Sequence, residues 1–127
     1  MIGDTIEIEL AGRLYKVSYI GVDAPEIDHP TRGREFYGLR AFEMNRRLVL
    51  GKAVYLEKDV SETDSSGHLL RYVYVGDAMV NAALVRDGYA RVAPHPPDLK
   101  HAESFLQLER KAREVSRGLW RVEGSMR

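Results

Sequence analysis

The chain contains no cysteine, which excludes disulfides, thiolate nucleophiles and cysteine-ligated metals. It also lacks an excess of either charge. Lys and Arg number 19, Asp and Glu number 19, and the formal net charge is zero. A protein that grips a phosphate backbone ordinarily shows a basic excess or a basic stripe, so strong nonspecific nucleic-acid affinity is not expected. Long apolar runs are missing too. None approaches the roughly 20 residues needed to span a bilayer, and the N-terminus shows no signal-peptide pattern, so no membrane partner is expected. The four histidines, His29, His68, His95 and His101, lack the spacing of a zinc site. There is no internal repeat, low-complexity tract or linker. At 127 residues, 44% apolar and 30% charged, residues 1–127 read as one globular domain with a single core.

What is present reads as short strands followed by helices. Thr5 to Leu10 alternates polar and apolar, Ala11-Gly12 is a tight turn, and Leu14 to Gly21 is the returning strand. Val22 to Tyr37 reads as a loop. From Gly38 the period becomes helical, with Leu39, Phe42, Arg46 and Val49 on one stripe and Gly51 as the stop. Ala53 to Lys58 and Leu69 to Val75 are strands, and Gly76-Asp77 is a two-residue hairpin turn. A short helix starts at Val80 and ends at Gly88. Pro94 to Pro97 reads as a polyproline-like loop. The last helix is expected from an Asp98 N-cap to Arg117, with Phe105, Leu108, Ala112 and Val115 on its apolar face and Trp120 as a core anchor. The order describes an α+β, mainly β domain: a small OB-type barrel with helices.

One stretch stands out chemically. Val17 to Val22 is rich in β-branched and aromatic residues and runs into Asp23-Ala24-Pro25-Glu26. Pro25 fixes its own φ and pushes Ala24 towards an extended conformation, so two carboxylates sit on a stiff turn. Gly3-Asp4-Thr5 precedes it by one hairpin. Thr63-Asp64-Ser65-Ser66-Gly67-His68, Met79-Val80-Asn81 to Gly88, and Gly118-Leu119-Trp120 follow in order. From Ile2 to Trp120 this set resembles the staphylococcal nuclease (thermonuclease) family.

The resemblance implies a five-stranded OB-fold barrel, and a Ca²⁺ ion held by Asp4, Asp23 and the carbonyl of Ala24. Oxygen ligands of this kind suit a hard cation. It gives Glu26 the catalytic task of activating the attacking water. It also implies departures. The family has arginines where this chain has Ser18 and His68, leaving Ser18 as a substrate-binding residue and His68 as a catalytic one. A serine donates one neutral hydrogen bond, and an unperturbed imidazole, with a pKa of about 6.5, is mostly neutral at pH 7. Family tyrosines around the nucleotide correspond to Ser66, Pro94 and Pro96, and a neighbouring lysine to Ser65. Lys16, Arg34 and Arg71 are weighed as replacement cations, and Arg32 is assigned to substrate binding. The family's first strand has no counterpart here, which implies an uncovered sheet edge and self-association through it, or an edge filled by a preceding segment. Two functions stay open: a weakened or retuned Ca²⁺-dependent phosphodiesterase acting on DNA or RNA, and a non-catalytic OB-fold module that binds nucleic acid or protein.

Overall fold

A computed structural model describes residues 3–26 and 37–121. Strand β1 (Thr5–Leu10) turns through Ala11 and Gly12, both at positive φ, into β2 (Arg13–Tyr19). A two-residue strand, β3 (Val22–Asp23), precedes helix α1 (Gly38–Val49). Strands β4 (Tyr55–Glu57), β5 (Leu69–Val75) and β6 (Ala78–Met79) lead into α2 (Val80–Arg86). Then come β7 (Arg91–Val92), α3 (Ala102–Glu114) and a 3₁₀ turn at Gly118–Trp120. Among the described residues, no helix is long and apolar enough to cross a membrane.

The main sheet runs β1-β2-β5-β4, with β6 also paired to β5, and β2 and β5 are parallel. It is curled but open: β1 and β4 are its two edges, and they do not pair with each other among the described residues. Among the described residues the strands thus form a partly open half-barrel, without the full closure of the expected five-stranded barrel being shown. A second, two-stranded sheet joins β3 to β7, setting Val22 opposite Val92 and Asp23 opposite Arg91. Sequence periodicity does not find β3 because two residues carry no period.

The core collects the inward faces of β2 and β5 with α2 and α3: Val17, Tyr19, Ile20, Leu70, Tyr72, Val73, Leu84, Val85 and Phe105 are buried. At its centre the fully buried Asn81 accepts a hydrogen bond from Val73 N–H at 2.9 Å and donates to the Ile20 carbonyl at 3.0 Å. Gly88 and Gly118 bring two backbone segments into contact. A Cβ on Gly88 would lie 2.3 Å from the Arg117 carbonyl oxygen, so only glycine allows the approach.

Several expected details come out differently. On α1 the buried positions are Gly38, Ala41 and Asn45, while Leu39 is exposed. Asn45 is drawn in because the Tyr19 hydroxyl donates to it at 2.5 Å and its amide donates to the Thr5 carbonyl at 3.0 Å. Asp98 does not cap α3, which begins at Ala102 after His101. Its buried carboxylate instead accepts the N–H groups of Val60 and Ser61 at 2.8 and 2.7 Å. Pro94 to Pro97 is no polyproline run. The segment closes as a turn, with Asp98 N–H donating to the His95 carbonyl at 2.7 Å and a cis bond between Pro96 and Pro97. Val115 lies past the end of α3 and is exposed. Trp120, expected as a core anchor, is only half-buried and stands outside the core cluster, with the Arg113 guanidinium 4.2 Å from its ring centroid.

Glu57 ties β4 to the start of α3. It accepts the Tyr74 hydroxyl at 2.8 Å and contacts His101 Nε2 at 3.0 Å, and Lys100 binds its other oxygen. Lys100 foremost, then His101 and Tyr74 against the opposing effect of burial, hold its carboxyl down at about 2. The ordinary value is 4.5, so the stabilisation is complete above pH 4.5 and is lost as pH falls through 2. Glu57→Gln is expected to lose about 1–2 kcal/mol at pH 7, allowing for solvent screening. In urea titrations across pH, its difference from wild type should shrink between pH 5 and 2; a constant difference would contradict the linkage.

Candidate active site

The acidic half of the site is built on the end of the β1–β2 ladder. Tyr19 N–H donates to the Asp4 carbonyl at 3.0 Å, continuing the ladder past Thr5 and fixing Asp4 beside the chain that leaves β2. The Asp4 side chain then reaches across the Asp23-Ala24-Pro25-Glu26 turn, where its Oδ2 accepts the Ala24 N–H at 3.1 Å. Ala24 and Pro25 are buried, which holds the turn against the core, while Asp23 is exposed and Glu26 half-buried. The stiff turn expected from Pro25 is thus anchored by a carboxylate from the preceding hairpin.

Asp4 itself is 9% exposed, and its Oδ1 is buried without a hydrogen-bond partner among the described residues. Burial is the main reason its carboxyl is pushed up to about 6; the Ala24 N–H opposes this, while the charges of Asp23 and Glu26 add to it. The three acids are therefore electrostatic neighbours. They do not form a ready-made cage: among the described residues no three His, Asp or Glu side chains group tightly enough to hold a metal ion. The donor chemistry still suits a hard cation, because a buried carboxylate oxygen without a partner gains from a positive charge placed beside it.

Ser18 and His68 form the other half, and the fold brings them together. Ser18 lies one residue before Tyr19 on β2, opposite Thr5. Its hydroxyl is 3.3 Å from His68 Nδ1 and donates to Asp64 Oδ2 at 3.2 Å. Asp64 is the residue that sequence reasoning passed over. Its Oδ1 accepts the N–H groups of Ser66 and His68, both at 2.9 Å, and its Oδ2 is 3.6 Å from His68 Nδ1. Burial raises its pKa, but the His68 and Ser66 N–H groups and the His68 and Ser18 side chains outweigh this and hold it below the usual range. The signal was in the D-x-x-G turn: an aspartate that caps such a turn has an oxygen left over for a side chain four residues on. Ser18 and Asp64 both address the same imidazole nitrogen, so the trio is no Ser–His–Asp proton relay, which needs the two on opposite ring nitrogens.

The proposed substitute cations fare unequally. Arg71 is buried, donating to the Glu62 and Leu70 carbonyls at 2.8 Å each and pairing with Glu62, so it braces a loop and does not face the site. Lys16 lines a cavity of about 710 Å³ together with His68 and with Arg46 of α1. Arg91, which no motif singled out, stands opposite Asp23 across β3 and β7. Arg32 and Arg34 lie outside the described residues. Ser66, Pro94 and Pro96 are all exposed.

Asp64→Ala is expected to lower stability by about 1–2 kcal/mol, the usual size for losing a side-chain cap on backbone N–H groups. Asp64→Asn keeps an acceptor oxygen and should lose less. Urea unfolding of both variants checks this, and equal losses would mean that charge, and not capping, is what Asp64 contributes.

Comparison with known proteins comes after this geometry. Residues 16–122 match the family described as "Staphylococcal nuclease homologue". The thermonuclease of Staphylococcus hyicus is 33% identical over 118 residues, covering 93% of this chain and 70% of that protein. The thermonuclease of Staphylococcus intermedius is 34% identical over 118 residues with the same coverage of 93% and 70%. Endonuclease YncB of Bacillus subtilis (strain 168) is 35% identical over 124 residues, 96% of this chain and 59% of that one.

Proposed function

Because the chain belongs to the staphylococcal nuclease homologue family, we propose that it hydrolyses phosphodiesters of DNA or RNA, slowly and with calcium, using Asp4, Asp23 and Glu26. The observation that carries this reading is Asp4, buried with one oxygen on the Ala24 N–H and the other without a partner among the described residues. Leaving such an atom unmatched costs about 1–3 kcal/mol, more for a charged group, which favours a ligand there. Asp4, Asp23 and the Ala24 carbonyl would hold Ca²⁺, an all-oxygen set of the kind that ion prefers. When bound, the ion would supply Lewis-acid polarisation of a phosphoryl oxygen. Glu26, beyond Pro25, orients the attacking water and takes its proton. Ser18 and His68 offer the phosphate a hydroxyl and an imidazole in place of two guanidiniums, and Arg32, which lies outside the described residues, is assigned as a further cation for the substrate. Removing one preorganised donor typically lowers turnover about 100- to 1000-fold, so the reaction is slow.

A non-catalytic binding module is the second reading, and one observation favours it. Ser18, Asp64 and His68 satisfy one another, leaving fewer free donors for a phosphate.

Ser18→Arg combined with His68→Arg should raise Ca²⁺-dependent cleavage of single-stranded DNA by at least about 100-fold at pH 8. The same assay on wild type supplies the baseline. No cleavage by either protein would transfer the assignment to the binding module.

Calorimetric titration should show Ca²⁺ binding of modest affinity to wild type and its loss in Asp23→Ala. Negligible heat in both would remove the metal from the site.

A further inference from the structure

The zero net charge of the chain hides a local excess of arginine beside the acid turn. In the two-stranded sheet, Val22 and its partner Val92 face the core, so the alternating pair Asp23 and Arg91 faces outwards, side by side. Both are exposed. Two residues before Arg91, the ring of Tyr89 lies 5.5 Å from that of Tyr37, at 33°. Tyr37 precedes α1 at φ 72, a backbone conformation that a bulky residue rarely adopts. Strain of this kind persists where something depends on the placement of the residue.

The Arg40 guanidinium sits 5.2 Å from the Tyr37 ring centroid. Arg47 is two helical turns further along α1, on the same face. Burial foremost, then the charges of Tyr37 and Asp87, raise the Tyr89 pKa, and Arg47 opposes them, so Arg47 and Asp87 both flank that ring. Asp87 is already engaged by Arg86 at 3.0 Å and by Arg117 at 3.7 Å. Glu43 is the acid between Arg40 and Arg47 on α1. Around the two rings, five arginines thus stand against three acids, Asp23 included. Arg40, Arg47 and Arg91 form no ion pair among the described residues.

We propose that Tyr37 and Tyr89, with Arg40, Arg47 and Arg91 around them, form a track for the single nucleic-acid strand that flanks the scissile phosphate. The proposal rests on the reading of the chain as acting on DNA or RNA, and it puts substrate contacts on α1 and β7, away from Ser18 and His68. Tyrosine rings and guanidinium planes both offer flat faces on which an unpaired base stacks. A base held in a duplex keeps its faces inside the stack, so the track selects single strands. The planar fork of arginine meets phosphate oxygens bidentately. Arg91, opposite Asp23, joins the track to the acid turn. Such contacts hold the substrate equally in the ground and transition states, so they lower KM without replacing the lost guanidiniums in kcat. An acidic polypeptide would answer the arginines but leave the rings unused.

The test needs no hydrolysis. Binding of a fluorescein-labelled oligothymidine is followed by anisotropy with EDTA present, at several salt concentrations. Tyr89→Leu, which keeps an apolar side chain and removes the flat ring, should weaken binding at least about fivefold, and Tyr89→Phe should not. Arg47→Gln and Arg91→Gln should each reduce the slope of log affinity against log salt by about 0.7, a readout that lost packing does not move. Arg13→Gln, at the opposite end of β2 from the acid turn, should change neither quantity. Failure of wild type to bind, or variants that all bind as wild type does, overturns the track. Tighter binding of a duplex than of the single strand overturns it as well. Competition by polyglutamate as effective as that by unlabelled oligonucleotide, with Tyr89→Leu unaffected, overturns it in favour of an acidic polypeptide. Hydrolysis is judged separately, by Ca²⁺-dependent cleavage, so either reading can fail while the other stands.

Discussion

Asn81 is the constraint on which the rest of the domain depends. An amide with no exposure must satisfy its oxygen and its nitrogen inside the protein, and the penalty for failing is larger than the gain for succeeding. Its oxygen takes the Val73 N–H of β5, and its nitrogen reaches the Ile20 carbonyl at the end of β2. A single side chain on α2 thus sets the distance between the sheet and the start of the Asp23-Ala24-Pro25-Glu26 turn. The parallel pairing of β2 with β5, unusual in a small meander, brings Ser18 level with Leu70 and within reach of His68. Both halves of the candidate site inherit their position from that joint.

The two halves stand in different electrostatic situations. Asp4, Asp23 and Glu26 crowd negative charge around a buried carboxyl whose pKa is pushed up to about 6. Such an arrangement is unfavourable in isolation and becomes favourable when a cation enters, which is the ordinary logic of a hard-metal site. Ser18, Asp64 and His68 are the reverse, a set in which the Ser18 hydroxyl, the Asp64 carboxylate and His68 Nδ1 already engage one another. A phosphate arriving there must break hydrogen bonds before it makes any. The neutral overall charge points the same way, since no broad field gathers polyanions towards the site.

Membership of the family carries the likeness to thermonucleases, and the described strands form the curled, partly open sheet of a half-barrel. An edge with unpaired backbone groups is normally blunted by charge, twist or a covering segment. Here β1 carries the exposed Glu7 and Glu9, and among the described residues it pairs only with β2.

Much of this was legible in the sequence because it depends on neighbours along the chain. Alternation marked Thr5–Leu10, and the span Leu69–Val75 emerged residue for residue. The stiff acid turn followed from Pro25, and the helix stop near Gly51 from its positive φ. Positions set by distant partners were not legible. Asp98 has the composition of an N-cap, yet it serves Val60 and Ser61, 38 and 37 residues away. Asn45 has the look of a solvent-facing helix residue until Tyr19 and Thr5 claim its amide. Arg71 was a plausible cation for the site until burial against Glu62 removed it. Asp64 gained its link to Ser18 only across 46 residues. By itself the sequence determined the longer elements, the family and the acid turn, because periodicity and backbone stereochemistry act over a few residues; the two-residue strands β3 and β7 were beyond it. Tertiary structure alone decided which polar side chains are buried and whom they serve, because a buried donor or acceptor takes whichever partner the packed chain places within about 3 Å.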